Sequence, residues 1–426
     1  MGMTIVEKIL AAHSGREAVA VGDIVDCEVD VAVMIDYSFS PLIAGEPFEI
    51  RRVDHPERVV VLLDHAVPAP TIADATYHQA ARAFVKRFGV ERFRDVGSGG
   101  GICHQVILES GLARPGQILT CADSHTIASG ALNCAARGLG PAEILQVVCT
   151  GRTWLRAAPT IKYELTGRPS PGVFGKDIFL HLAGRDGSVE GHNIEFAGEG
   201  LANLSMDDRA TIATMCQEIS ADFATFPADD MVVDHLRRVT GETVRGVEAD
   251  ANATYVDVRT LNLTDVRPRV ALPGHVPHNT VPVAELGEEV RVDQAFVGSC
   301  ANGKLEDLRV AASVVSGRKV AAGVRFIVTP ASQKVYLDAV RLGYVETLVE
   351  AGAVVTNSTC GACPGGHLGV LAPGEVCVTS STRNFKGRMG SPDAHVYIAS
   401  SATVAASAIA GRIADASALL ERGVTR

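Results

Sequence analysis

The sequence predicts an α/β fold in which helices alternate with the strands of a parallel sheet. The 426-residue chain contains 42 glycines and only 5% aromatic residues, a composition typical of layered α/β packing with many tight turns. In the C-terminal half, short apolar segments alternate with helical patterns, which indicates parallel strands joined by helical crossovers. Polar and cysteine-containing loops follow these segments, at the edge where open α/β sheets bind ligands.

The elements of the N-terminal half follow from hydrophobic patterning. The residues M-T-I-V-E-K-I-L-A-A-H near the start have the spacing of an amphipathic helix. Continuous apolar runs predict strands at 58–64 and 117–122, each leading into a loop that contains aspartate. Helical patterns cover residues 74–88 and 207–218.

The C-terminal half contains the alternation that defines the fold class. Its predicted strands are 290–297, 323–328, 352–356 and 376–380, and its predicted helices are 305–315, 332–342 and 402–420. Before them, residues 241–285 are richer in Asn, Pro, Thr and charge, which is typical of a connection between domains. We therefore expect a domain boundary near residue 280.

Composition and charge argue against several classes of protein. The net charge of −10 is spread along the chain, whereas nucleic-acid binding needs a basic surface. No apolar run approaches the roughly 18 residues of a membrane span, and the N-terminus lacks the pattern of a signal peptide. Ten cysteines without regular spacing do not suggest a disulfide framework. We expect a cytoplasmic protein that binds neither membrane nor nucleic acid.

Three cysteines in glycine-rich loops are the most informative residues. Cys300 lies in V-G-S-C-A-N-G, and Cys360 and Cys363 lie in S-T-C-G-A-C-P-G-G-H. Electron-transfer clusters usually have four cysteine ligands, so three suggest an iron–sulfur cluster with one iron open to act as a Lewis acid. A Cys-x-x-Cys pair also occurs in redox and zinc sites. A closed zinc site of the three cysteines with His367 is therefore an alternative.

Histidines and carboxylates at predicted strand ends and in loops form a second set. Its members are Asp64, His65, His104, Asp123, His125 and Glu218. A histidine held by a carboxylate suits acid–base catalysis, because the carboxylate fixes the tautomer and supports the imidazolium. Four further histidines lack such neighbours, and we expect them at the surface: His13, His55, His78 and His235.

Two arginines, Arg383 and Arg388, form a third set in the segment S-S-T-R-N-F-K-G-R-M-G. Guanidinium groups bind carboxylates in a bidentate geometry that lysine cannot supply. Taken alone, the pair is also consistent with two solvated loop residues. Its position shortly after the cysteine pair favours a site for a dicarboxylate.

The chain resembles the aconitase superfamily, and within it most closely the large subunits of 3-isopropylmalate dehydratases and their homoaconitase-like relatives. The resemblance covers nearly the whole chain and is carried by M-T-I-V-E-K-I-L, D-H-A-V-P, G-I-C-H-Q-V, A-D-S-H-T, S-M-D-D-R-A-T-I, V-G-S-C-A-N-G-K-L-E-D-L, S-T-C-G-A-C-P-G-G-H-L-G-V-L and R-N-F-K-G-R-M-G. It implies a three-lobed α/β/α architecture without the small swivelling domain. Two intertwined lobes with the acid–base residues would occupy residues 1–280, and a lobe with the cysteines and arginines would occupy 281–426.

The resemblance also implies roles for individual residues. The three cysteines Cys300, Cys360 and Cys363 would ligate a [4Fe–4S] cluster. Three pairs would position the groups that deliver and remove protons: Asp64 with His65, His104 with Asp123, and His125 with Glu218. The residues that would bind substrate are Ser124, Arg383 and Arg388.

The implied reaction isomerises 2-isopropylmalate and 3-isopropylmalate, or a closely related 2-hydroxy-dicarboxylate, by removing and re-adding water. Alternatives within the resemblance are a homoaconitase and a citramalate- or dimethylmalate-type dehydratase. The resemblance further implies a separate small subunit, a swivel domain that supplies a serine base, because no such segment follows in this chain. A non-catalytic relative that binds metal, a partner or RNA is a further hypothesis, against which the retained acid–base residues argue.

Several positions depart from the family pattern. Ala301 and Lys304 stand where the cysteine loop usually has Thr and Arg, and the family usually has Asn at the positions of Thr214 and Thr382. Residues 34–41 replace a motif that commonly carries Asn-Asp or His-Glu followed by Thr. Groups around metal ligands tune a metal site strongly. The departures therefore indicate either neutral drift, or a modified substrate or a less stable cluster.

Overall fold

A computed structural model describes residues 2–40, 50–97, 99–274, 279–287 and 289–420. The chain forms two compact units, each built from three segments. Unit 1 comprises Met1–Val96, Val106–Thr166 and Val189–Leu261, and unit 2 comprises Gly97–Gln105, Gly167–Ser188 and Asn262–Arg426. The expected division into residues 1–280 and 281–426 stays a prediction, because compact units of this kind need not coincide with family lobes.

The elements are numbered in chain order. The strands are β1 (Ile24–Glu28), β2 (Val31–Ile35), β3 (Val59–Leu62), β4 (Arg92–Arg94), β5 (Ile118–Cys121), β6 (Ala135–Gly138), β7 (Arg152–Arg156), β8 (Thr160–Thr166), β9 (Asn193–Ala197), β10 (Ala224–Thr225), β11 (Asp257–Asn262), β12 (Arg269–Ala271), β13 (Thr280–Pro282), β14 (Gln294–Val297), β15 (Arg325–Val328), β16 (Val354–Val355), β17 (Val376–Thr379) and β18 (His395–Ala399). The α-helices are α1 (Ile5–Ser14), α2 (Ile72–Phe88), α3 (Cys103–Ser110), α4 (Pro141–Thr150), α5 (Gly175–Asp186), α6 (Met206–Met215), α7 (Asp230–Thr240), α8 (Leu305–Val315), α9 (Gln333–Arg341), α10 (Tyr344–Ala351), α11 (Ser401–Ala410) and α12 (Ser417–Leu420). Short 3₁₀ helices include Ser124–Leu132 and Cys216–Ile219.

Unit 1 is built on a five-stranded parallel sheet in the order β4-β3-β2-β5-β6. Its central strands are fully buried and rich in valine, isoleucine and leucine, as expected for a parallel sheet covered on both faces. A second, four-stranded sheet has the order β10-β9-β8-β11, and β1 pairs with β7 as an antiparallel ribbon. The predicted strands at 58–64 and 117–122 correspond to β3 and β5.

An ion pair between a buried arginine and a partly exposed aspartate joins two helices of unit 1. The guanidinium of Arg209 on α6 is fully buried and makes two hydrogen bonds to the carboxylate of Asp229, at 2.8 and 2.7 Å. Asp229 is also the N-cap of α7, where its side chain accepts a hydrogen bond from the backbone N–H of Val232. Nη2 of Arg209 donates in addition to the carbonyl of Leu201 at 2.9 Å. The pair therefore fixes the start of α7 against α6.

Unit 2 is built on a seven-stranded sheet in the order β13-β12-β18-β17-β14-β15-β16. The five strands from β14 to β18 are parallel to one another, which confirms the parallel sheet predicted from the alternation of strands and helices. Strand β12 pairs antiparallel with both β18 and β13. The segment 241–285, predicted as a connection, thus contains strands β11, β12 and β13.

The last predicted helix, 402–420, is interrupted. Helix α11 ends at Gly411, which has a φ of 71° and donates its N–H to the carbonyl of Ser407. A left-handed residue of this kind ends an α-helix, and glycine adopts it without steric cost. All residues from Ser401 to Ala408 are buried, and small side chains let α11 pack closely on α8. Among the described residues, no helix is both long and apolar enough to cross a bilayer.

Candidate active site

Three neighbouring strands of the five-stranded sheet end in aspartate-containing loops. Strand β2 lies between β3 and β5, and all three are parallel. Asp36 directly follows β2, Asp64 and His65 follow β3, and Asp123 follows β5. The carboxyl ends of parallel strands meet at one edge of the sheet, where α/β proteins place their ligand sites. The fold of unit 1 therefore gathers these side chains at one edge.

Carboxylates and imidazoles alternate along this edge. Nδ1 of His65 lies 2.8 Å from Oδ1 of Asp64, and its Nε2 lies 3.4 Å from Oδ2 of Asp123. Nδ1 of His125 lies 3.6 Å from Oδ1 of Asp123, and its Nε2 lies 2.8 Å from Oε1 of Glu218. Asp64 is fully buried, and the two histidines are nearly so. Each imidazole thus lies between two carboxylates, which fix its orientation.

Local structure explains how Asp123, His125 and Glu218 are held in place. Asp123 is the N-cap of the 3₁₀ helix Ser124–Leu132, and its side chain accepts a hydrogen bond from the N–H of His125 at 2.7 Å. Glu218 lies in the 3₁₀ helix that directly continues α6. Gly130 lies against the backbone of Ala224, where a side chain would clash with the carbonyl oxygen. The predicted substrate residue Ser124 lies in this helix, beside Asp123.

Asp36 and His78 extend this alternating series of carboxylates and imidazoles, although the sequence did not single them out as functional. Asp36 accepts hydrogen bonds from the N–H groups of His65 and Ala66 at 3.1 and 2.7 Å. Its carboxylate oxygens lie 3.6 Å from Nδ1 of His65 and 3.7 Å from Nε2 of His78. Burial opposes the ionisation of Asp36, but the two histidines and the N–H of Ala66 outweigh it and hold its pKa below the usual value.

The prediction that His78 lies at the surface is therefore wrong, since only 3% of the residue is exposed. Its position on α2 contained a signal: the buried residues of this helix are His78, Ala81 and Phe84, at the spacing of one helical face. The other three histidines, His13, His55 and His235, are partly buried.

In unit 2, the three cysteines and two arginines also follow parallel strands. Cys300 comes after β14, Cys360 and Cys363 come after β16, and the arginine loop comes after β17. The side chain of Ser380, directly after β17, accepts a hydrogen bond from the N–H of Gly298 at 3.1 Å and donates to the carbonyl of Asn302 at 3.1 Å. These bonds tie the loop after β17 to the loop that contains Cys300.

The cysteine loops are buried and contact the arginine loop. Each of the three cysteines is less than 9% exposed, and the N–H of Cys363 donates to the carbonyl of Cys360 at 3.1 Å. Nη2 of Arg388 lies 3.6 Å from Sγ of Cys363, and Oγ1 of Thr382 lies 3.9 Å from the same sulfur. Arg383, one residue beyond Thr382, is half-buried. Thr382, a departure from the family pattern, thus lies beside a predicted ligand.

The segment that contains His104 packs on the cysteine loops. Ile102 forms a buried cluster with Cys300, Cys360 and Ala331. Its N–H donates to the carbonyl of Ala331 at 2.8 Å, and Gly101 lies so close to Ser332 that a Cβ would clash. His104 is 2% exposed and belongs to unit 2. Its pairing with Asp123 of unit 1 stays a prediction.

The donor set fits an iron–sulfur cluster better than zinc. In a tetrahedral site with Zn–S bonds of about 2.3 Å, ligand atoms lie about 3.8 Å apart. Among the described residues, no three of Cys300, Cys360, Cys363 and His367 have ligand atoms within 4.8 Å of one another. The buried Oδ1 of Asn302 and Oγ of Ser358, each two residues from a cysteine, have no hydrogen-bond partner in the described part of the chain. A larger group with polar edges would satisfy both.

Two other departures are accounted for within the protein. The hydroxyl of Thr214, on α6, donates to the carbonyl of Ala210 at 2.6 Å and is thereby satisfied inside its own helix. Ala301 is fully buried beside Cys300. Neither the side chain of Thr214 nor that of Ala301 therefore has a polar group left without a hydrogen bond.

Comparison with known proteins shows the family of the chain. The sequence model of the aconitase family (aconitate hydratase) matches residues 7–411 of this chain. The chain belongs to the aconitase family. It is 55% identical to the 3-isopropylmalate dehydratase large subunit of Mycolicibacterium smegmatis, over 98% of this chain and 97% of that one. It is 43% identical to the 3-isopropylmalate dehydratase large subunit 1 of Methanopyrus kandleri, over 97% and 99%.

A solved structure supports the fold. The holo form of Thermococcus kodakaraensis aconitase X superposes with a TM-score of 0.50 at 13% identity, covering 83% of this chain and 84% of that chain. At this identity, the likeness concerns the fold alone. The predicted α/β fold and the resemblance stated from sequence motifs are both confirmed.

Proposed function

We propose that this chain is the large subunit of a 3-isopropylmalate dehydratase, which isomerises 2-isopropylmalate and 3-isopropylmalate by removing and re-adding water. Membership of the aconitase family and relatives that are named dehydratases make the chain a hydro-lyase. The observation that carries the choice of substrate is the 55% identity over nearly the full length of both chains. The alternating imidazoles and carboxylates supply the proton-transfer groups that such a reaction needs.

In this proposal Cys300, Cys360 and Cys363 hold a [4Fe–4S] cluster. When bound, a cluster with three protein ligands supplies an open iron that acts as a Lewis acid on a hydroxyl or carboxylate. The protein contributes three buried thiols on two loops and two buried polar atoms, from Asn302 and Ser358, that can meet the edges of the group.

The proposed acid–base chemistry belongs to His65 and His125, with His104 as the third member of the set. Elimination of water requires a proton for the departing hydroxyl and removal of a proton from the neighbouring carbon. An imidazolium held by a carboxylate can donate the first proton, and the same imidazole can take it back during rehydration. Asp64 and Asp123 hold the ring of His65, and Glu218 holds that of His125.

The substrate would be held by its carboxylates. Arg383 and Arg388 are proposed to bind them, with Ser124 as a further contact. Guanidinium groups suit this role because two parallel N–H bonds match a carboxylate. The proximity of Arg388 to Cys363 would bring one carboxylate next to the proposed cluster.

A separate small subunit is the proposed partner, and it would supply the serine base that abstracts the carbon-bound proton. The names of the relatives, which describe large subunits, support a partner of this kind. A homoaconitase or a citramalate- or dimethylmalate-type dehydratase is the second candidate. The side chain of Thr382 beside Cys363, where the family usually has Asn, favours testing these substrates as well.

The test combines cofactor content with turnover. The chain is reconstituted anaerobically with iron and sulfide, and each hydroxy-dicarboxylate is assayed with and without the small subunit. We expect about four irons per chain, a three-iron electron paramagnetic resonance signal after mild oxidation, and turnover of 3-isopropylmalate only with the small subunit present.

Two cysteine variants serve as probe and control. Cys300→Ala should lose the signal. Cys377→Ala should keep it, because Cys377 is not one of the three proposed ligands. Cys377 is a matched control because it is also a buried cysteine, on β17 of the same unit. A wild-type protein that folds and takes up no iron would refute the proposal, and preferential turnover of homoaconitate would select the second candidate.

A further inference from the structure

Two lysines of unit 2 are buried as completely as core leucines. Lys176 is 0% exposed and Lys304 is 1% exposed. Lys176 lies in the first turn of α5, and Lys304 is the N-cap residue of α8. The sequence marked Lys304 only as a departure from the family pattern and did not distinguish Lys176 from an ordinary surface lysine at a helix start.

Neither position is favourable for a positive charge. A buried ammonium loses its hydration, and a helix N-terminus already carries about half a positive elementary charge. The pKa of Lys176 is accordingly lowered from 10.5 to about 7, chiefly by burial and also by the charge of Lys304, while the thiols of Cys300 and Cys363 oppose the shift. A buried cation is stable only beside compensating negative charge or polar groups.

Both ammonium groups hold carbonyls of the cysteine and arginine loops. Nζ of Lys176 donates to the carbonyl of Ser381 at 3.0 Å, and the next residue, Thr382, contacts the sulfur of Cys363. Nζ of Lys304 donates to the carbonyl of Ala301, directly after Cys300. The two lysines thus reach from two different helices to the backbone of the loop that contains Cys300 and to that of the arginine loop, which contacts Cys363.

The loop of Lys304 is itself anchored. Oδ2 of Asp307 accepts the backbone N–H of Lys304 at 3.1 Å, and Oδ1 accepts hydrogen bonds from Asn302 at 2.8 Å and Ser401 at 2.7 Å. Burial raises the pKa of Asp307, and the charge of Lys304 counteracts this effect. The loop after Cys300 is therefore fixed from α8 and α11 together.

We propose that Lys176 and Lys304 are positioning residues for the iron–sulfur cluster, which hold the arginine loop and the loop of Cys300 in place and offset the negative charge that three thiolates bring into a buried site. This inference rests on the proposed function, because it presupposes the cluster. It concerns how tightly the cluster is held and at what potential it is reduced. It does not assign the lysines a contact with substrate.

The test uses the full chain, reconstituted anaerobically, and the variants Lys176→Met, Lys304→Met and Lys176→Arg. Lys334→Met is the matched control, because Lys334 is an exposed lysine of α9 in the same unit that pairs with Asp338. Iron and sulfide per chain, the rate of cluster loss to a chelator and the midpoint potential are measured for each protein. Far-UV circular dichroism establishes folding.

We expect both Met variants to lose the cluster at least about tenfold faster than the wild type, the size of effect that supporting groups have at metal sites. Their midpoint potentials should shift in the negative direction, because removing a positive charge disfavours adding an electron. Lys176→Arg should keep most of the wild-type behaviour, and Lys334→Met all of it.

Cluster loss and potential that equal the wild-type values in Lys176→Met would overturn the inference and leave the proposed function standing. Faster loss with an unchanged potential would also overturn it, since packing alone would then explain the loss. A wild-type protein without any cluster would instead refute the proposed function, and the inference with it. Should Lys176→Met not fold, Lys304→Met is judged by the same criteria.

Discussion

Replacing Lys176 by methionine should stabilise the cluster-free protein, and the gain should depend on pH. In the folded state the pKa of Lys176 is lowered from 10.5 to about 7, chiefly by burial. Each pKa unit corresponds to about 1.4 kcal/mol, so the charged lysine lowers the free energy of unfolding by on the order of 5 kcal/mol below pH 7. The group is fully buried, so solvent does not screen this term.

The sign of the pH dependence follows from proton binding. Between pH 7 and 10.5 the unfolded chain holds one more proton at this lysine than the folded protein does, so the free energy of unfolding rises with pH. The penalty is about 5 kcal/mol at pH 6, about 2 kcal/mol at pH 9 and absent above 10.5. Methionine removes it but leaves the carbonyl of Ser381 without its donor, which costs roughly 1–3 kcal/mol. The net gain should be about 2–4 kcal/mol at pH 6 and near zero at pH 9.

Urea denaturation of the cluster-free wild type and of Lys176→Met, at pH 6 and pH 9, measures this difference. The same experiment with Lys334→Met should show almost no change at either pH, because that lysine is exposed. An equal gain at both pH values would mean that improved packing, and not the removal of a buried charge, stabilises the variant. A loss of stability at pH 6 would refute the reasoning altogether.

Two further variants test other features. Glu218→Gln keeps the shape of the group that holds His125 but removes its charge. The kcat of the complete enzyme should therefore fall by about 10²–10⁴ with little change in KM, as measured by steady-state kinetics with the small subunit. An unchanged kcat would exclude the pair of Glu218 and His125 from catalysis. Asp229→Asn removes the charge that pairs with the buried guanidinium of Arg209 and should lower the free energy of unfolding by about 3 kcal/mol. The control is Asp234→Asn on the same helix, whose ion pair is exposed. In urea denaturation, this control should change the free energy of unfolding by less than about 0.5 kcal/mol. Equal effects of the two substitutions would contradict a special role of the pair between Asp229 and Arg209.

The strands that position the site were predictable because their environment is simple. Strands β3, β5, β14 and β17 are buried on both faces, and such strands appear in a sequence as continuous apolar runs. The polar residues just beyond them then mark the ligand edge of a parallel sheet. Strands β12 and β13 were missed because they are only three residues long and lie in a segment rich in proline and polar residues.

Side-chain environments proved harder to predict than strand positions. His78 and Lys176 were not identified, because the type of a residue does not reveal which face of its helix is covered. Lysine in the first turn of a helix is ordinarily solvated, and only the tertiary structure shows that Lys176 lies beneath the arginine loop. Asp36 was overlooked although it follows a buried strand in the same way as Asp64, since its segment departs from the family motif.

The composition of unit 2 from three separate segments has a consequence for the order of events during synthesis. Lys176 and Ser381 are 205 residues apart, so at roughly 5–20 residues per second the loop that the lysine supports emerges about 10–40 s after it. A fragment that begins at Asn262 would contain all three cysteines without Lys176 and without the segment that packs Ile102 against them. The cysteine loops therefore cannot be moved to another protein as one contiguous piece. The proposed cluster would accordingly be inserted only after nearly the whole chain has been made.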